Sequence, residues 1–455
     1  MNFKPLFGPK TMAVIGVSLT NHRHPANVIY NKALHRYPAT VYPVNPRGGV
    51  LQGNQVFRDI AEISEKVDLA VIAVRADSVY DVMDACIRCG VGGATVISGG
   101  FAEVGRMDLQ QRLIDVAREA DFPFVGPNCL GIYVPNVVDT FFLPAERLVR
   151  PDEGNVAFVS QSGGVLVDQM VTFAGEGVGV SLAVSIGNKA LIREMDLLNY
   201  LCTDPKTRVI AFYVEGFAQG EGRAFVQAAR QCPKPVVVLK SGKSPGGRRA
   251  AASHTASMAG DYTVFSSILA QHGIVEAVDE YQLVSYCESL SCYPEAIDGR
   301  VGILTGSGGH GVLSVDICWA HGLSVPELSA AEQDKIRRRL NPNIRDIASL
   351  KNPVDVTGSA VDDDFFEAAL GLCQAQQVEC VIILLLPYSP GISSDLGARI
   401  SQLYRHEGKP LVAYVPASER YRMLIEGFEL NGIPVAASIE GAIYMADAMR
   451  RCQPC

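Results

Sequence analysis

Short apolar runs recur along the chain, each closed by glycine, proline, serine or asparagine. Longer stretches with apolar positions three and four apart follow them. Strands are expected at 12–18, 40–46, 68–74, 93–100 and 124–129, with helices at 26–35, 79–89 and 107–120 between them. The alternation resumes after a proline-flanked segment at 144–151. It runs through 155–159, a helix to 174, 179–184, a helix near 195–202, 209–214, a helix at 222–230, and 235–239. A third series occupies 300–305, 378–386, 410–415 and 433–436. Strand, helix, strand in repetition predicts parallel, doubly wound sheets covered by helices. The expectation is an α/β protein of three doubly wound domains, at 1–145, 150–293 and 298–455.

On such sheets ligands sit at the carboxyl ends of the strands. In the first domain those ends read Gly16-Val17-Ser18, Asn45-Pro46-Arg47, Val74-Arg75, Ser98-Gly99-Gly100 and Gly126-Pro127-Asn128-Cys129. They are small, polar or glycine-bearing, as a nucleotide-shaped ligand requires. The first turn lacks the G-x-G-x-x-G dinucleotide pattern, since Gly16 is followed by Val17-Ser18-Leu19-Thr20-Asn21-His22-Arg23-His24-Pro25. The second strand ends in Asn45-Pro46, where a nicotinamide enzyme would carry an acidic residue. A nicotinamide oxidoreductase is therefore excluded.

At 455 residues the chain exceeds one ordinary domain, and a hydrophobic content of 48% supplies several aliphatic cores. Its formal charge is −8, with no long basic run, which gives nucleic-acid binding no electrostatic support. No apolar run is long enough to span a bilayer and no cleavable signal is read, so a cytoplasmic protein is expected. The twelve cysteines are scattered, as reduced thiols rather than a disulfide framework would be. Cys86 and Cys89, the one close pair, share an amphipathic helix and are read as structural.

Two stretches carry chemistry. The strand at 155–159 turns through Ser160-Gln161-Ser162-Gly163-Gly164 into a helix, which gathers N–H groups at the positive end of a helix dipole and suits an anion. The strand at 235–239 leads through Lys240-Ser241-Gly242-Lys243-Ser244-Pro245-Gly246-Gly247-Arg248-Arg249, read as a flexible cationic loop, to His254 among small residues. A neutral imidazole is a nucleophile that can meet a phosphoryl group. His310, in the turn Gly306-Ser307-Gly308-Gly309-His310-Gly311, is read as structural because no carboxylate or cationic loop accompanies it.

Taken in order, several motifs resemble the α subunit of the NDP-forming acyl-CoA synthetases over nearly the whole chain. They are Val44-Asn45-Pro46, Gly126-Pro127-Asn128-Cys129-Leu130-Gly131, Ser160-Gln161-Ser162-Gly163, Ser185-Ile186-Gly187-Asn188-Lys189, Tyr213-Val214-Glu215-Gly216, Ser253-His254-Thr255 and Asn352-Pro353-Val354-Asp355. That family includes ADP-forming acetyl-CoA synthetase and, more distantly, succinyl-CoA synthetase. The resemblance implies an N-terminal Rossmann-like CoA-binding domain followed by two flavodoxin-like domains. It implies reversible conversion of acyl-CoA, phosphate and a nucleoside diphosphate into carboxylic acid, CoA and the triphosphate, through acyl phosphate and phosphohistidine. His254 matches the phosphorylated histidine and Glu215 the carboxylate that orients it. Ser160, Gln161, Ser162, Gly163 and Gly164 match the phosphate-holding turn. Gly16, Val17, Ser18, Asn45, Pro46, Arg47, Val74, Arg75, Ser98, Gly99 and Gly100 fall where CoA binds. Asn128 and Cys129 line the meeting place of thiol and acyl group, Cys129 as lining rather than nucleophile.

The family's nucleotide site, with ADP or ATP and Mg2+, belongs to an ATP-grasp module that nothing in this chain resembles. The resemblance therefore implies a separate β subunit in a hetero-oligomer, and no metal site in this chain. Arg75, Ala256, His310 and the long turn at 19–25 depart from the family pattern. A second reading is a CoA- or acyl-CoA-binding regulatory protein without turnover, against which the presence of both His254 and Glu215 weighs. The acid and the choice of ADP over GDP stay open.

Overall fold

In the computed structural model the residues described are 1–218, 220–254, 261–293 and 295–452, the side chains of 251–254 excepted. The chain divides into two compact units, Met1–Glu276 and Ala277–Cys455.

The first unit holds two sheets. One is all parallel and contains β1 (Thr11–Ile15), β2 (Thr40–Val44), β3 (Leu69–Ile72), β4 (Gly93–Val96) and β5 (Phe124–Val125), in the order β2-β1-β3-β4-β5. These strands are short aliphatic runs, buried on both faces as parallel strands under helices must be. Helices Pro25–Arg36, Ala76–Arg88 and Met107–Glu119 separate them. Pro25 suits the first helical position, where its missing N–H leaves nothing unpaired. A small hairpin, Gly49–Leu51 with Asn54–Val56, follows β2.

The other sheet has seven strands. They are β6 (Gly131–Val134), β7 (Val138–Asp139), β8 (Glu153–Ser160), β9 (Val180–Ser185), β10 (Val209–Val214), β11 (Val236–Lys240) and β12 (Val275–Ala277), in the order β12-β11-β10-β8-β9-β6-β7. Strands β6 and β7 fall within the range expected for the first domain, yet β6 pairs antiparallel with β9. The apolar stretch Ile132-Tyr133-Val134 finds its cover on that sheet's edge. Buried Asp139, at the end of β7, is bonded by Lys32 and by Arg150, each at 2.7 Å. The cysteines depart from the expectation of free thiols throughout. Cys202 and Cys232 form a disulfide, their Cα atoms 5.5 Å apart, because the helices Glu194–Thr203 and Glu221–Gln231 end side by side. Cys86 is buried and Cys89 exposed, so that pair does not face one ligand.

The second unit carries β13 (Val301–Thr305), β14 (Val354–Asp355), β15 (Cys380–Leu384), β16 (Leu411–Tyr414) and β17 (Val435–Ala436), parallel in the order β14-β13-β15-β16-β17. Helix Glu280–Cys292, which the expected division assigns to the middle domain, packs here against helix Ile439–Arg451. Tyr286 Oη donates to buried Asp447 at 2.8 Å. Among the described residues no helix is long and apolar enough to cross a membrane.

All three sheets share one winding. The first parallel strand of each (β1, β8 and β13) lies between the second and the third, so the order reverses beside it. In doubly wound sheets the ligand crevice opens at that reversal, outside the carboxyl ends. The crevices are bounded by Gly16 and Ala73 in the first sheet, Gln161 and Glu215 in the second, and Gly306 and Leu385 in the third.

Candidate active site

The second crevice gathers the residues expected to handle phosphate. Strand β8 ends at Ser160, whose hydroxyl donates to the Ser162 carbonyl at 2.6 Å and accepts from the Ser162 N–H at 3.1 Å. That local ring turns the chain into helix Gly163–Gly175, which Ser162 caps by accepting from the Val165 N–H at 3.4 Å. The N–H groups of Gly163 and Gly164 have no partner among the described residues, and Gly164 is exposed. Two unpaired donors at a helix start form a seat for an anion.

Gln161 acts differently from its neighbours. Its N–H donates to the Tyr213 carbonyl at 3.2 Å, which takes it out of phosphate binding. Its side-chain Oε1 accepts from the N–H of Glu215 at 2.6 Å and of Gly216 at 3.2 Å. Its Nε2 donates to the Gly216 carbonyl at 2.9 Å and to Glu194. The buried amide thus clamps the Glu215–Gly216 backbone to the phosphate turn.

Three residues that motif reading left without a role complete the surround. Lys189 donates to Glu194 at 2.8 Å and to the Gly216 carbonyl at 2.6 Å. Lys189 has φ +44, a left-handed conformation that follows Gly187 in the turn. Lys240, buried at the end of β11, donates to the Glu215 carbonyl at 2.7 Å. Burial lowers the Lys240 ammonium below its ordinary range, and the nearby Glu215 carboxylate opposes that shift. Lys189 follows a motif visible in the sequence. Lys240 opens the cationic run noted in the sequence, whereas Glu194 carries no local signal, because only the fold brings it to Gly216.

From β11 the chain reaches His254 in fourteen residues. The stretch expected to be a flexible loop is instead largely helical, Pro245–His254. Ser244 Oγ accepts from the Gly247 N–H at 3.0 Å, Pro245 occupies the first helical position, and three consecutive alanines favour the helix over the two glycines. The backbone of His254 ends that helix. Its imidazole lies outside the described residues, as does the segment 255–260.

In the first crevice, Gly16 has φ +105, and a side chain there would strike the Ala73 carbonyl. Its role is close strand approach. Val17 is buried; Ser18 exchanges hydrogen bonds with Asn27, at 2.6 and 2.8 Å. Asn45 Nδ2 donates to the Val17 carbonyl at 2.7 Å, which joins the first two strand ends. Pro46, Arg47 and Arg75 are exposed, and Val74 is half-buried. Ser98 donates to the Val74 carbonyl at 2.5 Å. A methyl group on Gly99 would sit 3.1 Å from Asn128 Oδ1, so the glycine keeps an open cradle beside that amide. These ends suit a CoA-sized ligand, being small, open and rimmed by two arginines.

Asn128, exposed at φ +56, donates to Asn188 Oδ1 at 3.3 Å. Asn188 in turn donates to Glu103 at 2.5 Å and to Gln110 at 3.0 Å. The first crevice is thereby bonded to the turn that carries Lys189. Burial works against the charged form of Glu103, but donors from Asn188 and from the Gly100 and Phe101 N–H groups outweigh it and hold the carboxyl below its ordinary range. Cys129 is buried, its Sγ 3.3 Å from the Val96 carbonyl, and burial pushes the thiol far up. A protonated, enclosed thiol is a poor nucleophile. His310 opens the helix Gly308–Ala320, its ring edge-on to Tyr414 at 6.2 Å.

Two family models match the chain: a CoA binding domain over residues 10–135 and a succinyl-CoA ligase like flavodoxin domain over 153–290. The chain is 33% identical over 461 residues to the ADP-forming acetate–CoA ligase I subunit alpha of Pyrococcus furiosus, covering 99% of this chain and 97% of that one. It is 36% identical over 388 residues to the ADP-forming acetate–CoA ligase I of Archaeoglobus fulgidus, where it covers 84% of this chain and spans about half, 54%, of the relative's length. Among solved structures, the dinucleotide-forming acetyl-coenzyme A synthetase 1 of Ca. Korarchaeum cryptofilum, in complex with phosphate and ADP, superposes with a TM-score of 0.88. The match has 31% identity and covers 99% of this chain and 96% of that one. These relatives are named as ligases and synthetases, which speaks for the catalytic reading over the regulatory one. With a phosphate turn clamped to Glu215 and near-complete coverage of a subunit at this identity, the chain belongs to the family of ADP-forming acetate–CoA ligase α subunits.

Proposed function

We propose that this chain is the α subunit of an NDP-forming acyl-CoA synthetase, working through phosphohistidine. In the thermodynamically reversible reaction, phosphate attacks the acyl-CoA carbonyl, the CoA thiolate leaves, and an acyl phosphate forms. The His254 imidazole then attacks phosphorus, the carboxylate leaves, and the phosphoryl group passes to ADP. The observation that carries this reading is the Gln161 clamp, which holds the Glu215 backbone against a helix start with two unpaired N–H groups. A carboxylate beside one ring nitrogen fixes the imidazole tautomer and stabilises the cationic phosphorylated ring. Lys189 and Lys240 add positive charge around the seat.

CoA would lie across the first crevice, on the ends at Gly16–Ser18, Asn45–Arg47, Val74–Arg75 and Ser98–Gly100, with its thiol toward Asn128 and Cys129. ADP or ATP, with Mg2+, would bind a separate ATP-grasp β subunit in a cytoplasmic heterotetramer, so the phosphohistidine segment would move between two sites. The three-domain division at 1–145, 150–293 and 298–455 belongs to the same proposal. The name of the Pyrococcus relative makes acetate the first acid to try.

The test is to incubate chain, β subunit, magnesium and ATP labelled in its γ-phosphate, and to follow acid-labile label on this chain. Labelling in the parent, its loss in His254→Ala and its reduction by about tenfold or more in Glu215→Gln are expected. Equal labelling of His254→Ala would sink the mechanism.

A further inference from the structure

A further concavity has none of the strand-end residues that bound the three crevices in its lining. It has a volume of about 540 Å³, and it opens between helix Pro25–Arg36 and the segment 142–147. Small-molecule sites run from ~300 to 1,000 Å³. Six of its lining side chains are basic or imidazole: His22, Arg23, Lys32, His35, Arg36 and Arg147. One is acidic, Glu146.

Part of this charge has a structural explanation. Lys32 is bonded to Asp139, and His35 and Arg36 complement the negative end of their own helix. The remainder does not. Asp139 also pairs with Arg150, so one carboxylate faces two cations and positive charge is left over. The side chains of Arg23 and Arg147 have no ion pair among the described residues, and they line the cavity from separate places in the chain. Asn31 Oδ1 is buried with no hydrogen-bond partner, in a residue that lines the same cavity. Rotation of that amide can present either its oxygen or its NH2 group to a ligand. Phe142, Pro144 and Ala145 supply an apolar wall. Burial lowers the Lys32 ammonium to about 8 against the pull of Asp139, and Arg150 and Arg36 push it the same way, as expected where positive charge is crowded.

We propose that this cavity binds a small, multiply phosphorylated anion. Guanidinium groups pair bidentately with phosphate oxygens, and convergence from two walls selects a compact ligand over an extended surface. The chemistry has two possible sources, the phosphate-bearing end of CoA and a free polyphosphate or nucleotide acting as an effector. The proposal stands apart from the phosphohistidine reading, and the His254→Ala chain serves equally well to test it.

The probe is inorganic pyrophosphate, titrated calorimetrically into the full chain at low ionic strength. One equivalent should bind, more weakly as salt is raised. The double variant Arg23→Ala, Arg147→Ala should bind at least about tenfold more weakly, each exposed arginine having supplied a charge-assisted contact. Arg88→Ala, on another helix, should bind as the parent does and so controls for net charge. If pyrophosphate and CoA compete, and the double variant also weakens CoA but not dephospho-CoA, the site is confirmed as a CoA subsite. If both bind at once and the double variant loses the pyrophosphate but keeps CoA, it is confirmed as an effector site. Absence of saturable binding to the parent, or binding to the double variant within about twofold of it, overturns the proposal.

Discussion

Gln161 lies at the centre of the site, although a phosphate-turn motif gives no hint of its work. Its amide uses both lone-pair directions and both N–H groups inside the protein. Replacing it by leucine leaves the Glu215 and Gly216 N–H groups buried without that acceptor. Each unsatisfied buried group costs about 1–3 kcal/mol, so Gln161→Leu should lose roughly 2–5 kcal/mol of stability in urea unfolding. The same variant should show less phosphohistidine label even at temperatures where it is folded, because the Glu215 backbone is no longer held. The Ser160–Gly164 turn was legible from residue type and its place after a strand, whereas Glu215 joined it only through the family resemblance. Which atoms of Gln161 face which partner was not visible, because spacing does not encode side-chain direction. Glu194 escaped for a related reason: an isolated charge in a helix start looks like any other.

Among the elements, the longer parallel strands were legible, since buried parallel strands are aliphatic runs ended by turn residues, whereas the short strands Gly131–Val134, Val138–Asp139, Val275–Ala277 and Val354–Asp355 were not. Pairing was less so. The stretch 131–139 was not read as strand, and only the register of Ile132 with Val184 assigns it to the second sheet. The helix Pro245–His254 was hidden by Gly246 and Gly247, which look like hinge residues when Pro245, Ser244 and the following alanines are given no weight. This element makes a prediction of opposite sign at two glycines. An added methyl group at Gly246 meets nothing closer than 3.9 Å, so Gly246→Ala should raise stability by about 0.5–1 kcal/mol. Gly242 has φ +73, which alanine adopts at a cost of roughly 1–2 kcal/mol, so Gly242→Ala should lower it. Thermal unfolding of the two variants beside the parent checks both signs.

For the molecule as a whole, the division at Glu276 and Ala277 implies separable stability. Within the second unit, buried Asp447 accepts from Tyr286 at 2.8 Å, Arg450 at 2.6 Å and Arg451 at 2.7 Å, and lies 3.3 Å from His321 Nδ1. It therefore ties helix Glu280–Cys292 and the end of helix Gly308–Ala320 to the terminal helix. Removing one partner of a buried charged network costs about 3–5 kcal/mol. Asp447→Ala should accordingly speed hydrogen exchange across 280–292 and 439–451 by two orders of magnitude or more, while 11–15 and 153–160 stay as protected as in the parent. Uniform acceleration through both units would show that they unfold as one.

The Gln161 clamp also apportions motion. Turn, carboxylate-bearing backbone and the Lys189–Glu194 pair are fastened together and form a stator. On the proposed mechanism, delivery of phosphorus to a nucleotide held by a partner would fall to the segment from Ser241 to His254. A chemical cross-link across the stator should be harmless to turnover, whereas one that pins that segment to it should stall the cycle with the phosphoryl group aboard.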